Sequence, residues 1–374
     1  MTEVRTSRAQ AQIDLRAIEH NISHLKELTQ VPVMAVVKAD AYGHGAVAVA
    51  HAAKSAGADW LGVAFVDEAI ELRNHGVPGP ILAWLLGDDD FSEALELNID
   101  LSVVSGAQLE KVAGVAREIG MRSRVHLEVD TGLSRAGASE SEWNSLFKRA
   151  VELHDDVEII SVWSHLACAD EPQHPANLAQ QNKYEEALAV AKSVGLNFQL
   201  RHIANSAGAL VHPNLRYDLV RCGIATYGVT PGDDVGAAAD LKLEPAMTLT
   251  AEIAHVRRLK VGDGVSYSHR WTASNPTTVG LIPLGYADGI PRSATNKGWV
   301  TLNGTQFPIV GTVCMDQFVV DFGDVEVNVG DTVTLFGRDA TSAHDWAKVA
   351  GSIGYELVTR LGQRVERVYA DGVR

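Results

Sequence analysis

Eight short apolar runs, nearly all separated by longer amphipathic segments, occupy residues 31–228 and leave few folds open. The runs are Val31–Lys38, Trp60–Phe65, Ile81–Leu86, Leu101–Ser105, Arg124–Asp130, Ile159–His165, Gln199–Ala204 and Asp218–Tyr227. Their length and composition are those of strands covered on both faces. Helical periodicity fits Gly45–Ala56, Asp67–His75, Phe91–Leu97, Ala107–Ile119, Ser141–Leu153 and Pro175–Val194. Eight strands with helical spacers predict an α/β fold, a parallel (β/α)8 barrel of the TIM type. In such barrels the chemistry gathers at the carboxyl ends of the strands.

The pattern changes after the Gly/Asp/Ala stretch Gly232–Asp240. Alternating strands are expected at Thr248–Leu259, Thr277–Leu284, Trp299–Leu302, Gln306–Val313, Phe318–Phe322 and Thr332–Phe336, with Asn303-Gly304 as a hairpin turn. One helix is expected near His344–Ser352. The reading is two domains, a barrel over residues 1–240 and a mostly β domain over 241–374, with residues 1–15 available to pair with the second. A chain of 374 residues favours such a division.

A formal charge of −15 disfavours nucleic acid and anionic membranes as partners. No run approaches the roughly 20 apolar residues of a membrane span. Met1–Arg8 is polar and lacks an apolar signal core. Cys168, Cys222 and Cys314 are widely spaced and have no metal-ligand spacing, the pattern of reduced thiols in a cytoplasmic protein without a metal centre.

Reactive residue types cluster where the predicted strands end. Lys38 ends the first, Glu128 and Asp130 the fifth, and His165 the sixth; His202 and Ser206 flank the end of the seventh, and Arg221 sits in the eighth. A lysine leaving the apolar run Val33-Met34-Ala35-Val36-Val37 either holds a structural salt bridge or serves as a desolvated, nucleophilic amine of the Schiff-base kind. The residues of that run do not decide between the two.

Several separated motifs do. They are VVKADAYGHG at 36–45, VHLEVDTGLSRAG at 125–137, HLACAD at 165–170, HIANSAG at 202–208, RCGIATYG at 221–228, VSYSHRW at 265–271, PLGYADG at 283–289 and VCMDQ at 313–317. Taken in this order, the set resembles the alanine racemase family along almost the whole chain. The resemblance implies a homodimeric bacterial enzyme that uses pyridoxal 5'-phosphate (PLP). It would interconvert L- and D-alanine by two-base proton transfer and supply D-alanine for peptidoglycan.

By that resemblance Lys38 is the Schiff-base lysine and one catalytic base. Tyr267 is the opposing base, contributed by the partner subunit. An unperturbed phenol, with a pKa of about 10, is a poor base at neutral pH. His165, linked onward to Arg221 and His202, is implied as its support. Arg221 would face the pyridine nitrogen, and arginine does not release its proton, so that nitrogen stays unprotonated and the carbanion short-lived. Tyr42, Ser206, the N–H groups of Gly223 and Ile224, and Tyr355 are implied as phosphate donors. Arg135 would contact the cofactor's phenolic oxygen and the substrate carboxylate, the partner's Met315 N–H would bind that carboxylate, and Tyr286 would narrow the entrance.

Two positions depart from the family pattern. Glu128 stands where most relatives carry a lysine, commonly carboxylated, that pairs with the arginine corresponding to Arg135. The expectation is that Glu128 supplies the anion itself, directly or through water. Thr312 stands where relatives often carry arginine. Two PLP-barrel alternatives share this barrel architecture. Decarboxylases of basic amino acids use a Gly-rich phosphate motif and a catalytic cysteine, and neither pattern is evident. PLP carrier proteins, which catalyse nothing, lack a β domain. A racemase acting on a broader range of amino acids stays open.

Overall fold

The computed structural model describes residues 8–87 and 91–370. Met1–Ser7, residues 88–90 and residues 371–374 lie outside the described residues, as do the parts of the expected N-terminal pairing that fall on them.

The first strand, β1 (Ala9–Asp14), leads directly into helix α1 (Leu15–Thr29). The Asp14 carboxylate accepts the N–H groups of Arg16 and Ala17 at 3.0 and 3.2 Å, satisfying two of the donors a helix start leaves open. Leu15, Ile18, Ile22 and Leu25 form the buried face of α1. This helix precedes the stretch in which the sequence showed strand–helix alternation.

The barrel strands follow: β2 (Val33–Val36), β3 (Trp60–Val63), β4 (Ile81–Ala83), β5 (Asp100–Val103), β6 (Ser123–Glu128), β7 (Val157–Trp163), β8 (Leu200–His202) and β9 (Val220–Cys222). They form one parallel sheet in the order β8-β7-β6-β5-β4-β3-β2-β9. Backbone bonds from Asp218 to Arg201 (3.0 Å) and from Arg221 to Ala204 (2.9 Å) span the remaining seam between β8 and β9. The result is a nearly closed (β/α)8 barrel. The expected eighth strand, Asp218–Tyr227, is shorter than its composition suggested. Gly223 takes φ −95° and ψ −95° and starts a tight helical turn over Ile224–Tyr227, which ends the pairing at Cys222.

The second sheet has nine strands, built on β10 (Met247–Glu252), β11 (His255–Leu259), β14 (Thr277–Ile282), β15 (Trp299–Leu302), β16 (Thr305–Val310), β17 (Phe318–Gly323), β18 (Thr332–Phe336) and β19 (Glu366–Ala370), together with β1. A separate two-stranded ribbon pairs β12 (Gly264–Val265) with β13 (Trp271–Thr272). β1 pairs antiparallel with β10 and parallel with β19, so the first described strand belongs to the C-terminal sheet. The single expected strand Thr248–Leu259 is two strands. The chain leaves the sheet at Ile253–Ala254, and β10 and β11 lie far apart in strand order.

Asn21 of α1 ties the two sheets together at the barrel exit. Its amide donates to the carbonyls of Thr226 (3.0 Å) and Glu244 (2.8 Å) and accepts the Glu244 N–H at 2.8 Å. A buried amide so fully used fixes how the chain crosses from barrel to β sheet.

Candidate active site

Directly after β2, residues Ala39–Tyr42 run through four consecutive left-handed conformations, with φ between 51° and 54°. Such a turn costs on the order of 1–2 kcal/mol per residue and needs outside support. Glu68 accepts the Ala39 N–H at 2.6 Å, Asp40 accepts the Ala46 N–H at 2.8 Å, and Arg367 of β19 donates to the Gly43 carbonyl at 3.1 Å. A side chain at Gly43, where φ is +78°, would run into the Val358 carbonyl. The second sheet therefore clamps the turn that carries Lys38 and Tyr42.

Lys38 stands at the head of this turn, half-buried, with its Nζ 5.6 Å from the Trp84 ring centroid. Burial, and then the charge of Arg135, hold its pKa below the ordinary lysine value; Glu68 opposes them. The effect enlarges the neutral, nucleophilic fraction of the amine.

Tyr42 is buried against Tyr227 and Tyr355, at centroid distances of 4.8 and 6.3 Å. Its hydroxyl lies over Gly223, where a Cβ would fall well inside van der Waals contact. The Ser206 hydroxyl accepts the N–H groups of Gly223 (2.9 Å) and Ala225 (3.3 Å). Ile224 opens the tight turn, whose first N–H groups have no partner within the turn. Tyr42, Ser206, Ile224 and Tyr355 thus place donors around Gly223, a backbone floor that tolerates no side chain and whose own N–H is held by Ser206. That arrangement suits a phosphate.

Arg221 forms the rear wall. It is buried, donates to the carbonyls of Ser164 (2.8 Å) and Ile203 (3.2 Å), and lies 4.6 Å from the Trp163 ring centroid. It also donates to Nδ1 of His202 at 2.8 Å and Nδ1 of His165 at 3.1 Å. Burial brings its pKa down to about 10, which leaves it protonated at neutral pH. His165 is driven well below its usual value by burial and by the charges of Arg221, Arg135 and Lys38, so it is a neutral imidazole. With Nδ1 accepting from Arg221, its proton sits on Nε2. His202 is fully buried behind Arg221 and supports that residue.

Glu128 is buried, and desolvation raises its pKa to about 7 against the favourable charges of Arg221 and Arg135. Among the described residues no hydrogen bond or ion pair joins Glu128 to Arg135, whose side chain is exposed. Their interaction is through space.

Tyr267, Met315 and Tyr286 lie on the second domain and are all exposed, Tyr267 at 72 %. Tyr267 begins a tight turn, Tyr267–His269. Met315 and Tyr286 are neighbours, since Ala287 N–H donates to the Met315 carbonyl at 3.0 Å and Tyr286 N–H to that of Cys314 at 3.0 Å. Among the described residues no hydrogen bond or ring contact joins these three to Lys38, Tyr42 or Arg221. Trp84, Glu68, Tyr227 and Trp163 also support the site; Tyr227 lies in the RCGIATYG motif, and the other three carried no sequence signal beyond their place near strand ends.

The chain matches the family models "Alanine racemase, N-terminal domain" over residues 13–231 and "Alanine racemase, C-terminal domain" over 246–369. It is 47% identical over 369 residues to the alanine racemase of Frankia casuarinae, covering 97% of this chain and 96% of that protein. The alanine racemase structure from D-cycloserine-producing Streptomyces lavendulae superposes with a TM-score of 0.96 at 44% identity, covering 98% of each chain. That of Bartonella henselae, with covalently bound pyridoxal phosphate, gives a TM-score of 0.88 at 31% identity, covering 97% of this chain and all of that one (100%). On this similarity, end to end and in both sheets, the chain belongs to the alanine racemase family.

Proposed function

We propose that this chain interconverts L- and D-alanine with PLP held in the barrel mouth. Bound there, PLP supplies the electron sink that makes the alanine Cα proton acidic. The donor cradle fits its phosphate, Lys38 fits its aldehyde carbon, and Arg221 fits its ring nitrogen.

The observation that carries the reading most is Arg221. A carboxylate at that wall would share a proton with the ring nitrogen and strengthen the electron sink. A guanidinium with its N–H groups fixed on four acceptors offers no such proton. Negative charge at Cα then persists only briefly, which favours immediate reprotonation over decarboxylation or transamination.

Lys38, once released by substrate, takes or returns the Cα proton on one face. Tyr267 of a second copy does so on the other, so the working unit is a homodimer. The neutral His165 presents its Nε2–H as a donor to that tyrosine's oxygen. Arg135 orients the substrate carboxylate, with the Met315 N–H and Tyr286 of the second copy closing the pocket. We propose the division at residues 240 and 241 as the boundary between the barrel and the domain that carries the second base.

Incubation of L-alanine with the pure protein and PLP in D₂O, followed by chiral chromatography, tests this. D-Alanine deuterated at Cα is expected. Absence of both D-alanine and exchange, with PLP bound, rejects the alanine assignment.

A further inference from the structure

The interior of this barrel holds polar groups where barrels of its class hold layers of branched apolar side chains. Met34, Trp60, Leu82, Ile160 and Leu219 form a small apolar cluster separate from the main core. Beside it lie Asp100, His126, Ser161 and His202, each buried to 0 % exposure. None of the first three touches the phosphate cradle or Lys38. Buried polar groups of this number are costly unless every one is satisfied.

They are satisfied in a single direction. Arginine only donates, so Nδ1 of His202 must accept from Arg221, and the His202 proton sits on Nε2. That Nε2 lies 3.0 Å from the Ser161 hydroxyl and 3.2 Å from Nδ1 of His126. From the other end, Arg124 donates to both oxygens of Asp100 at 2.7 and 3.1 Å. The carboxylate accepts Nε2–H of His126 at 3.1 Å, which leaves Nδ1 of His126 to accept the Ser161 O–H at 2.7 Å. The two deductions start from opposite ends of the barrel and meet at Ser161 without conflict. Burial lowers the pKa of both histidines, so each stays a neutral, one-proton ring.

We propose that Asp100, His126 and Ser161 are positioning residues for Arg221, a relay across the barrel that locks His202 in its Nε2–H tautomer. A locked His202 presents Arg221 with a lone pair at all times. The guanidinium is then held protonated and in one orientation, with Asp100 as the anionic end of the chain. The inference rests on the functional reading above, in which Arg221 meets the ring nitrogen of PLP.

Asp100→Asn tests it at nearly constant shape. The Asn oxygen is claimed by the Arg124 guanidinium, the stronger donor, and the NH₂ group then opposes Nε2 of His126. His126 must move its proton to Nδ1, Ser161 reverses, and His202 ends with Nδ1–H against Arg221. Imidazole ¹⁵N spectra of histidine-labelled full-length protein, with and without PLP, read both tautomers. In the wild type both rings are expected as Nε2–H; either ring found as Nδ1–H overturns the relay, whether or not the variant folds. In Asp100→Asn, His202 is expected to switch, PLP affinity to fall about tenfold, and the absorption band of the bound cofactor to shift. Retention of Nε2–H at His202, or unchanged cofactor affinity and band despite its loss, overturns the proposal. A wild type that binds no PLP rejects the functional reading instead, because the tautomers are still read in that protein.

Discussion

The Thr312 hydroxyl donates a 2.9 Å hydrogen bond to the backbone carbonyl of Tyr267. The neighbouring Ser266 hydroxyl donates to the Thr312 carbonyl at 2.7 Å, so the two segments hold each other by a reciprocal pair. Thr312 is buried although Tyr267 is exposed. The position where relatives often carry arginine thus serves here as an anchor for the turn that begins at Tyr267.

Thr312→Val keeps the shape and removes that anchor. A single net hydrogen bond implies a fall in kcat of about two- to tenfold. PLP affinity should be unchanged, because Thr312 belongs to the Tyr267 group and not to the phosphate cradle. Racemisation kinetics beside a cofactor titration separate the two; a large loss of PLP binding would assign Thr312 to the cradle.

Gly223→Ala introduces a Cβ against the Tyr42 hydroxyl. Overpacking of this kind costs about 1–3 kcal/mol, which predicts PLP binding weaker by about tenfold or more. Most of that loss should vanish in a Tyr42→Phe background, where the clashing oxygen is gone. Additive losses in the double variant would place the effect elsewhere.

Glu128 carries a stability signature. Burial raises its carboxyl from about 4.5 unfolded to about 7 folded, so the folded state holds the extra proton between those values. Stability therefore falls as pH rises through that window, by up to about 3 kcal/mol at pH 8. Glu128→Gln removes the titration. It should raise Tm relative to wild type at pH 8 and leave the two alike at pH 5, as read by calorimetry. A raised KM for alanine in the same variant would show that the through-space pairing with Arg135 matters to substrate binding.

Lys38→Ala and Tyr267→Phe chains, each inactive alone, should complement one another on mixing. In a two-fold dimer with shared sites, random exchange restores roughly a quarter of the sites. No recovery despite confirmed exchange would place both bases in one chain.

The lysine, arginine and histidines that meet at the barrel mouth were legible because such residues are conspicuous at the ends of apolar runs. Strand limits were less so. Ile224–Tyr227 continues the apolar composition of β9, yet Gly223 turns the backbone out of the sheet there. Likewise Thr248–Leu259 reads as one strand, and only the departure at Ile253–Ala254 separates β10 from β11. His126 and Ser161 sit inside strands as ordinary alternating positions, and nothing local marks them as partners of Arg221.

The sequence alone determined the barrel, the β domain behind it and the chemical types at the strand ends, because period and composition are local properties of the chain. Tertiary structure decided which of those groups meet. Barrel closure brings His126 to His202 across 76 positions of sequence, and β19 returns to clamp the left-handed turn after Lys38. Tautomers and depressed or raised pKa values follow from burial and distance, which exist only once the chain has closed on itself.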